Sequence, residues 1–168
     1  FSRVGRAEIA LRTTDCQAVV QQTLNNLQAA IEESGAVVNC DGLPTLMADA
    51  AQLTQVFQNL MANAIKFRGA ERPLIRIYAE KKDGDWAIAV SDNGIGVPAD
   101  HWQDIFVIFR RLHTREEYAG NGIGLSICKK IIERHGGKIW IEAQATPGSC
   151  FKFTLPAKAV ANAMEAHA

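Results

Sequence analysis

The chain has 168 residues, 48% hydrophobic and 21% charged, enough for one domain with a buried core. Its 18 basic and 18 acidic residues give a formal net charge of zero, which excludes a global electrostatic pull toward nucleic acid or an anionic membrane. No apolar run approaches the roughly 20 residues that span a bilayer, and the opening stretch, FSRVGRAEIALRTTD, has no signal-peptide pattern.

Taken in chain order, FSRVG reads as the frayed end of something upstream, and AEIALR (7–12) predicts a short strand. Asp15 is placed to cap a long amphipathic helix that runs to about Ser34 and ends at Gly35. AVVNC (36–40) and PTLMA (44–48) predict short strands around the turn Asp41-Gly42, and a second helix is expected from about Ala50 to Phe67. PLIRIYAEKK (73–82) and DWAIAVSD (85–92) alternate in polarity around Asp83-Gly84, a strong hairpin signal. The Gly-rich loop DNGIGVP (92–98) follows; residues 99–121 are polar and irregular around the apolar piece DIFVIF. A third long helix is predicted from about Ile123 to His135, stopped by Gly136-Gly137. KIWIEA (138–143) and CFKFTLP (150–156) predict the last strands, and AKAVANAMEAHA reads as a tail. Long helices beside strands that pair as hairpins predict an α+β two-layer sandwich, with three main helices on one face of a mixed, mostly antiparallel sheet.

The cysteines (Cys16, Cys40, Cys128, Cys150) form no C-x-x-C pair, and no histidine lies at metal-ligand spacing from them. The expectation is reduced, structural thiols in a cytosolic protein without a zinc site.

The stretch GNGIGL (120–125) places three glycines just before a helix. It is not a P-loop, because no G-x-x-x-x-G-K-[ST] occurs. A dinucleotide-binding loop must follow directly on a buried strand, and HTREEYA (113–119) is too polar for one. The glycine, lysine and aspartate motifs of protein kinases are also missing. Two readings stay open: a phosphate held by the free N–H groups at the helix start, or a Gly-rich turn with no ligand.

Residues 50–67 carry two stripes. Leu53, Phe57, Leu60, Ala64 and Phe67 recur at helical spacing and should face the core. Gln52, Gln55, Asn59, Asn63 and Lys66 form a polar row, and for the glutamines a solvated face suffices. Asparagine, however, disfavours a helix interior by several tenths of a kcal/mol relative to alanine. Asn59 and Asn63, one turn apart with Lys66 beyond, align two amides and a cation, a set suited to Mg²⁺ and phosphate oxygens.

In order, N-x-x-x-N-A-x-K-F (Asn59 to Phe67), D-N-G-I-G-V-P (Asp92 to Pro98), F-x-x-F-x-R (Phe106 to Arg111) and G-x-G-I-G-L (Gly120 to Leu125) resemble the catalytic ATP-binding domain of sensor histidine kinases. This is the Bergerat ATP-binding fold, also found in gyrase, mismatch-repair and chaperone ATPases, and the wording around the last motif is most similar to kinases of the phytochrome type. The resemblance implies a catalytic domain over residues 8–156, a remnant of the upstream phosphoacceptor helical hairpin at 1–7 and a tail at 157–168.

It further implies that Asn63 coordinates Mg²⁺, that Asn59 and Lys66 lie near the phosphates of ATP, and that Phe67 lies by the purine. Asp92 would accept a hydrogen bond from the adenine amine, with Gly94 and Gly96 letting the backbone pass under the base. Gly120, Gly122, Gly124 and Leu125 would form the phosphate-side turn, and residues 110–119 a mobile lid from which Arg111 reaches the phosphates. Independently, Asp92 ends an apolar strand, where a desolvated carboxylate needs a partner; turn chemistry in Asp-Asn-Gly is the other reading. Phe106 and Phe109, at i and i+3, are expected to pack the base of the lid. Where family members have G-x-G before the final strand, this chain reads ATPGSCF, so a tighter turn is expected at Gly148.

Hydrolases of the wider superfamily carry a water-activating carboxylate where Asn59 stands, and an amide cannot take a proton. The chain is therefore expected to spare bound Mg-ATP until a histidine imidazole arrives, with Asn59, Lys66 and Arg111 as the catalytic residues and transfer relying on positioning and on charge neutralisation by Mg²⁺, Lys66 and Arg111. None of the histidines (His101, His113, His135, His167) lies in the H-E/D-x-x-x-P context of a phosphoacceptor. That places the acceptor on another domain of the same full-length protein, reached in cis or in trans within a dimer, with a response regulator receiver domain downstream. The piece itself is expected to be monomeric, cytoplasmic and unable to autophosphorylate, without nucleic acid as a partner. Two alternatives are a non-catalytic nucleotide-binding interaction module and a serine kinase of the anti-sigma-factor type.

Overall fold

A computed structural model of the chain describes residues 9–107 and 124–157. The first strand, β1, spans Arg12–Asp15, later than the 7–12 expected, while residues 9–11 are irregular. The shift follows the β-branched pair Thr13-Thr14, which fits a pleated edge better than Ala10-Leu11.

Asp15 caps the next helix as expected, its carboxylate accepting from the Gln17 N–H. The single helix predicted to Ser34 is instead two: α1 (Cys16–Asn26) and α2 (Gln28–Ser34), separated at Leu27. Two poor helix formers, Asn25 and Asn26, immediately precede the break. The buried Thr23 hydroxyl also bonds back to the Val19 carbonyl at 2.9 Å, a geometry that bends helices. Gly35 then closes α2 in the left-handed conformation at φ 71°.

The strands β2 (Val37–Cys40) and β3 (Thr45–Ala48) do not pair with each other around Asp41-Gly42. β3 pairs antiparallel with β1 in a separate two-stranded sheet, Arg12 opposite Ala48. β2 runs parallel to β4 (Leu74–Lys82), Val37 opposite Leu74. The connection carries Pro44, which offers no N–H to a ladder, and the Asp41 N–H is taken by Ile77 of β4 at 2.9 Å.

The helix α3 (Ala50–Lys66) is capped by Asp49, whose Oδ1 accepts from the Gln52 N–H at 3.2 Å. β4 and β5 (Asp85–Asp92) form the predicted hairpin, with positive φ at both Asp83 (52°) and Gly84 (85°), as a tight two-residue turn requires. α4 (Gly124–Arg134) leads into β6 (Ile139–Glu142) and β7 (Cys150–Pro156), and the five-stranded sheet runs β2-β4-β5-β7-β6. All its pairings are antiparallel except β2 with β4, so the mixed, mostly antiparallel sheet is observed.

Alternation along the strands sends Ile75, Ile77, Ile88, Val90, Phe151 and Phe153 to one face, where they bury against Val20, Leu53, Phe57, Leu60, Ile131 and Ile132 of the helices. Phe57 meets Phe153 edge-on at 5.6 Å between ring centroids, a contact worth about 1 kcal/mol beyond its buried area. The opposite face is polar: Lys152 bonds Glu80 at 2.9 Å and pairs with Glu142. The helix layer consists of α1, α3 and α4, since α2 contributes no buried residue. At its base His135 is buried; Nδ1 bonds the Ile131 carbonyl at 2.7 Å, while Nε2 accepts from the Asp49 N–H at 3.0 Å. This joins the end of α4 to the start of α3.

Candidate functional site

The site is built at the C-terminal half of α3. Leu53, Phe57, Leu60 and Ala64 face the core, and the same period leaves Asn59 and Asn63 half-buried on the adjoining stripe with Lys66 exposed beyond them. Phe67 is not a core residue as its spacing suggested. The helix stops at Lys66, Phe67 takes the C-cap conformation (φ −100°, ψ 34°), and its ring is half-buried with the Lys66 ammonium 5.6 Å from its centroid. The glutamines also differ from a uniform solvated face. Gln55 is exposed, but Gln52 is half-buried with an Oε1 that has no hydrogen-bond partner among the described residues.

Asn59 spans the gap to the next helix: its Nδ2 donates to the Gly124 carbonyl at 3.2 Å. Below it lies Cys128, whose thiol burial pushes up to about 12, with a hydrogen bond from the Asn59 side chain pulling the other way. The thiol is inert at neutral pH and serves as packing. Asn63 differs from Asn59: its amide makes no hydrogen bond among the described residues and its oxygen is available to a ligand. Leu125 is half-buried and packs on the core beside Gly124. Arg111, Gly120 and Gly122, with Phe109 and the expected lid at 110–119, lie outside the described residues.

The loop after β5 crosses the end of α3 with no room for a side chain. A Cβ on Gly94 would stand 2.6 Å from the Phe67 carbonyl oxygen, which accepts from the Ile95 N–H at 3.1 Å. Gly96 (φ 79°) faces the Gly148 carbonyl, and a Cβ on Gly148 would fall 1.9 Å from the Asp92 carbonyl oxygen. The β6–β7 connection thus folds tightly onto the loop at Asp92, and Gly148 alone performs that approach.

Asp92 sits between these loops. Its Oδ1 accepts from the Gly94 N–H at 2.9 Å and the Ser149 N–H at 3.1 Å. Oδ2 makes no hydrogen bond among the described residues. Burial pushes the carboxyl above its ordinary value, and the two backbone donors offset this only in part. A carboxylate with one oxygen fixed by main chain presents the other in a set direction, an acceptor suited to an exocyclic amine. Phe106 is buried edge-on to Phe151 at 6.2 Å.

Two residues of this site carried no signal in their residue types. Ser149 acts through its backbone N–H, which any residue but proline could offer. Gln144 acts from a polar loop: its Nε2 donates to the Asp92 carbonyl at 2.9 Å.

A helix layer on a mixed sheet, with a main-chain-held carboxylate beside a glycine loop and two asparagines at the end of a long helix, defines a nucleotide-binding α/β sandwich. Residues 48–159 match the family model described as histidine kinase-, DNA gyrase B-, and HSP90-like ATPase, and the chain belongs to this family. Within it the chain is an ATP-binding catalytic domain of the histidine kinase type. It is 50% identical over 156 residues to the phytochrome-like protein Cph1 of Synechocystis sp., covering 93% of this chain and 21% of Cph1. The chain thus spans about a fifth of the length of Cph1 and of cyanobacterial phytochrome A of Nostoc sp., which it also matches. Among solved structures it is similar to full-length ShkA in complex with AMPPNP (TM-score 0.77, 28% identity, 92% of this chain and 33% of that one). It is also similar to the catalytic domain of histidine kinase ThkA (TM-score 0.76, 28% identity, 89% and 97%) and to ThkA in complex with the response regulator protein TrrA (TM-score 0.71, 27% identity, 88% and 42%). Among the described residues no helix is long and apolar enough to cross a membrane.

Proposed function

We propose that this domain binds Mg-ATP and supplies its γ-phosphoryl group to a histidine on a phosphoacceptor domain of the same full-length protein, in cis or across a dimer. The observation that carries the reading is Asp92, desolvated and pinned through one oxygen by the Gly94 and Ser149 N–H groups, with the other left for the adenine amine. Guanine has a carbonyl at that position and would set two acceptors against each other. The Asn63 side-chain oxygen, without a partner among the described residues, fits an Mg²⁺ that keeps most of its ligands from phosphate and water. That ion, when bound, neutralises charge on the phosphate oxygens. Lys66, exposed at the end of the same stripe, adds a cation on the phosphate side, with Arg111 assigned the same task from the lid.

Asn59 offers no base to activate water, and its amide is already engaged by Gly124. ATP is accordingly held until an imidazole nitrogen attacks the γ-phosphorus and the bond to the bridging oxygen breaks, releasing ADP. A cytoplasmic setting and a response regulator partner fit the same reading; ThkA was solved with such a partner. The test adds this domain and labelled ATP to a separate histidine-bearing helical hairpin. Label on the hairpin histidine, with none on the domain alone and no rapid ATP hydrolysis, is expected. Steady-state hydrolysis without transfer would overturn the reading, and label on a serine of an added partner would favour a serine kinase.

A further inference from the structure

We infer that Gln144 is a positioning residue for base recognition: it holds the β6–β7 loop in the place from which the Ser149 N–H orients the Asp92 carboxylate. The inference rests on the reading of Asp92 as the acceptor for the adenine amine.

The side-chain amide of Gln144 is used in full. Its Nε2 donates to the Asp92 carbonyl at 2.9 Å and to the Pro147 carbonyl at 3.2 Å, and its Oε1 accepts from the Ser91 hydroxyl at 2.7 Å. Two carbonyl partners at one end fix which way the amide points. Ser91 and Asp92 belong to β5, whereas Gln144 and Pro147 bracket the loop that returns to β7. One side chain therefore sews the loop to the end of the central strand. No other side chain of the loop up to Gly148 does so: Ala145, Thr146 and Pro147 are exposed, and Gly148 has no side chain.

What the loop delivers is backbone. Ser149 exchanges two bonds with Asp92, its N–H donating to Oδ1 at 3.1 Å and its carbonyl accepting from the Asp92 N–H at 2.8 Å. If the loop drifts, Oδ1 keeps only the Gly94 N–H, and the carboxylate gains freedom about its own bond. The loss would fall on the contact to the base amine. The phosphate-side groups Asn59, Asn63 and Lys66 stand on α3, and no bond links them to this loop among the described residues.

The test measures binding of ATP and of purine riboside triphosphate, which lacks the amine, to the domain and to Gln144→Met, a variant of similar length without donors. The wild-type domain should prefer ATP. In Gln144→Met that preference should fall about five- to tenfold, the scale of one weakened charge-assisted hydrogen bond, with affinity for purine riboside triphosphate held within about twofold. A merely structural role would lower both affinities together and leave the ratio unchanged, which overturns the inference. If the wild-type domain binds both nucleotides equally, the Asp92 reading itself fails and takes this inference with it. Should Gln144→Met not fold, Ser91→Ala removes the hydroxyl that orients the amide and carries the same ratio test. A partial fall supports the inference and an unchanged ratio overturns it.

Discussion

The Asn59 side-chain amide donates to the backbone carbonyl of Gly124 at 3.2 Å, so the C-terminal half of α3 and the first residue of α4 are bonded to each other. Asparagine is a poor residue inside a helix, and here its short amide reaches a neighbouring helix. Asn59→Ala should lower stability by about 1 kcal/mol, the net worth of one such bond. The denaturation midpoint of the nucleotide-free domain checks this, and an unchanged midpoint would mean that the bond is replaced by water.

Asp92→Ala should weaken ATP binding about tenfold to a hundredfold, the range for a hydrogen bond to a charged group, and titration calorimetry measures it. The pH dependence has a definite sign. Burial raises the folded-state value above the ordinary 3.8, so the folded protein holds this proton more tightly than the unfolded chain. Asp92's contribution to stability is therefore most favourable in acid. It declines as pH rises from 3.8 through the folded value and is level above it. The wild-type stability minus that of Asp92→Ala, followed by denaturation from acid to neutral pH, should fall over that window. A difference that rises instead contradicts the desolvated setting.

Gly94→Ala places a methyl 2.6 Å from the Phe67 carbonyl, an atom of the main chain that cannot swing away. The loop must lift from the end of α3, costing about 1–3 kcal/mol and widening the base side of the site. Chemical denaturation and ATP titration on the same variant should both register it. Full retention of affinity would show that the loop tolerates the shift.

His135→Ala should destabilise the domain by about 2–4 kcal/mol without touching a site residue, because it leaves the Asp49 N–H unpaired and opens a cavity between α3 and α4. Denaturation with and without saturating ATP tests it. The stability loss is expected in both conditions and the ATP dissociation constant should stay within about twofold.

Local chemistry was legible where it decides the outcome. Asp15 is bound to its helix start, Gly35 takes the left-handed cap, and Asp83-Gly84 makes the tight turn. The break at Leu27 was not legible, because Asn25-Asn26 weaken a helix without stopping it and the bond from the buried Thr23 hydroxyl back to the Val19 carbonyl exists only in the fold. The partners of β2 and β3 were not legible either. Four-residue strands beside an Asp-Gly turn suggest a hairpin, yet one joins β4 and the other β1, since long-range pairing depends on what the rest of the chain offers. Phe67 satisfied a helical period but ended outside the core, because the helix ran out beneath it.

The sequence by itself determined the residue chemistry of the candidate site: two helical asparagines with a lysine, a carboxylate ending an apolar strand, and glycines where backbone passes close to backbone. These are properties of residue type and spacing, and they survive without coordinates. Only the tertiary structure decided what holds that chemistry in place. The donors that pin Asp92 are main-chain groups of Gly94 and Ser149, and Gln144 and Ser149 lie more than fifty positions from it along the chain. Every residue but proline carries the same backbone N–H, so its function depends on where the fold delivers it.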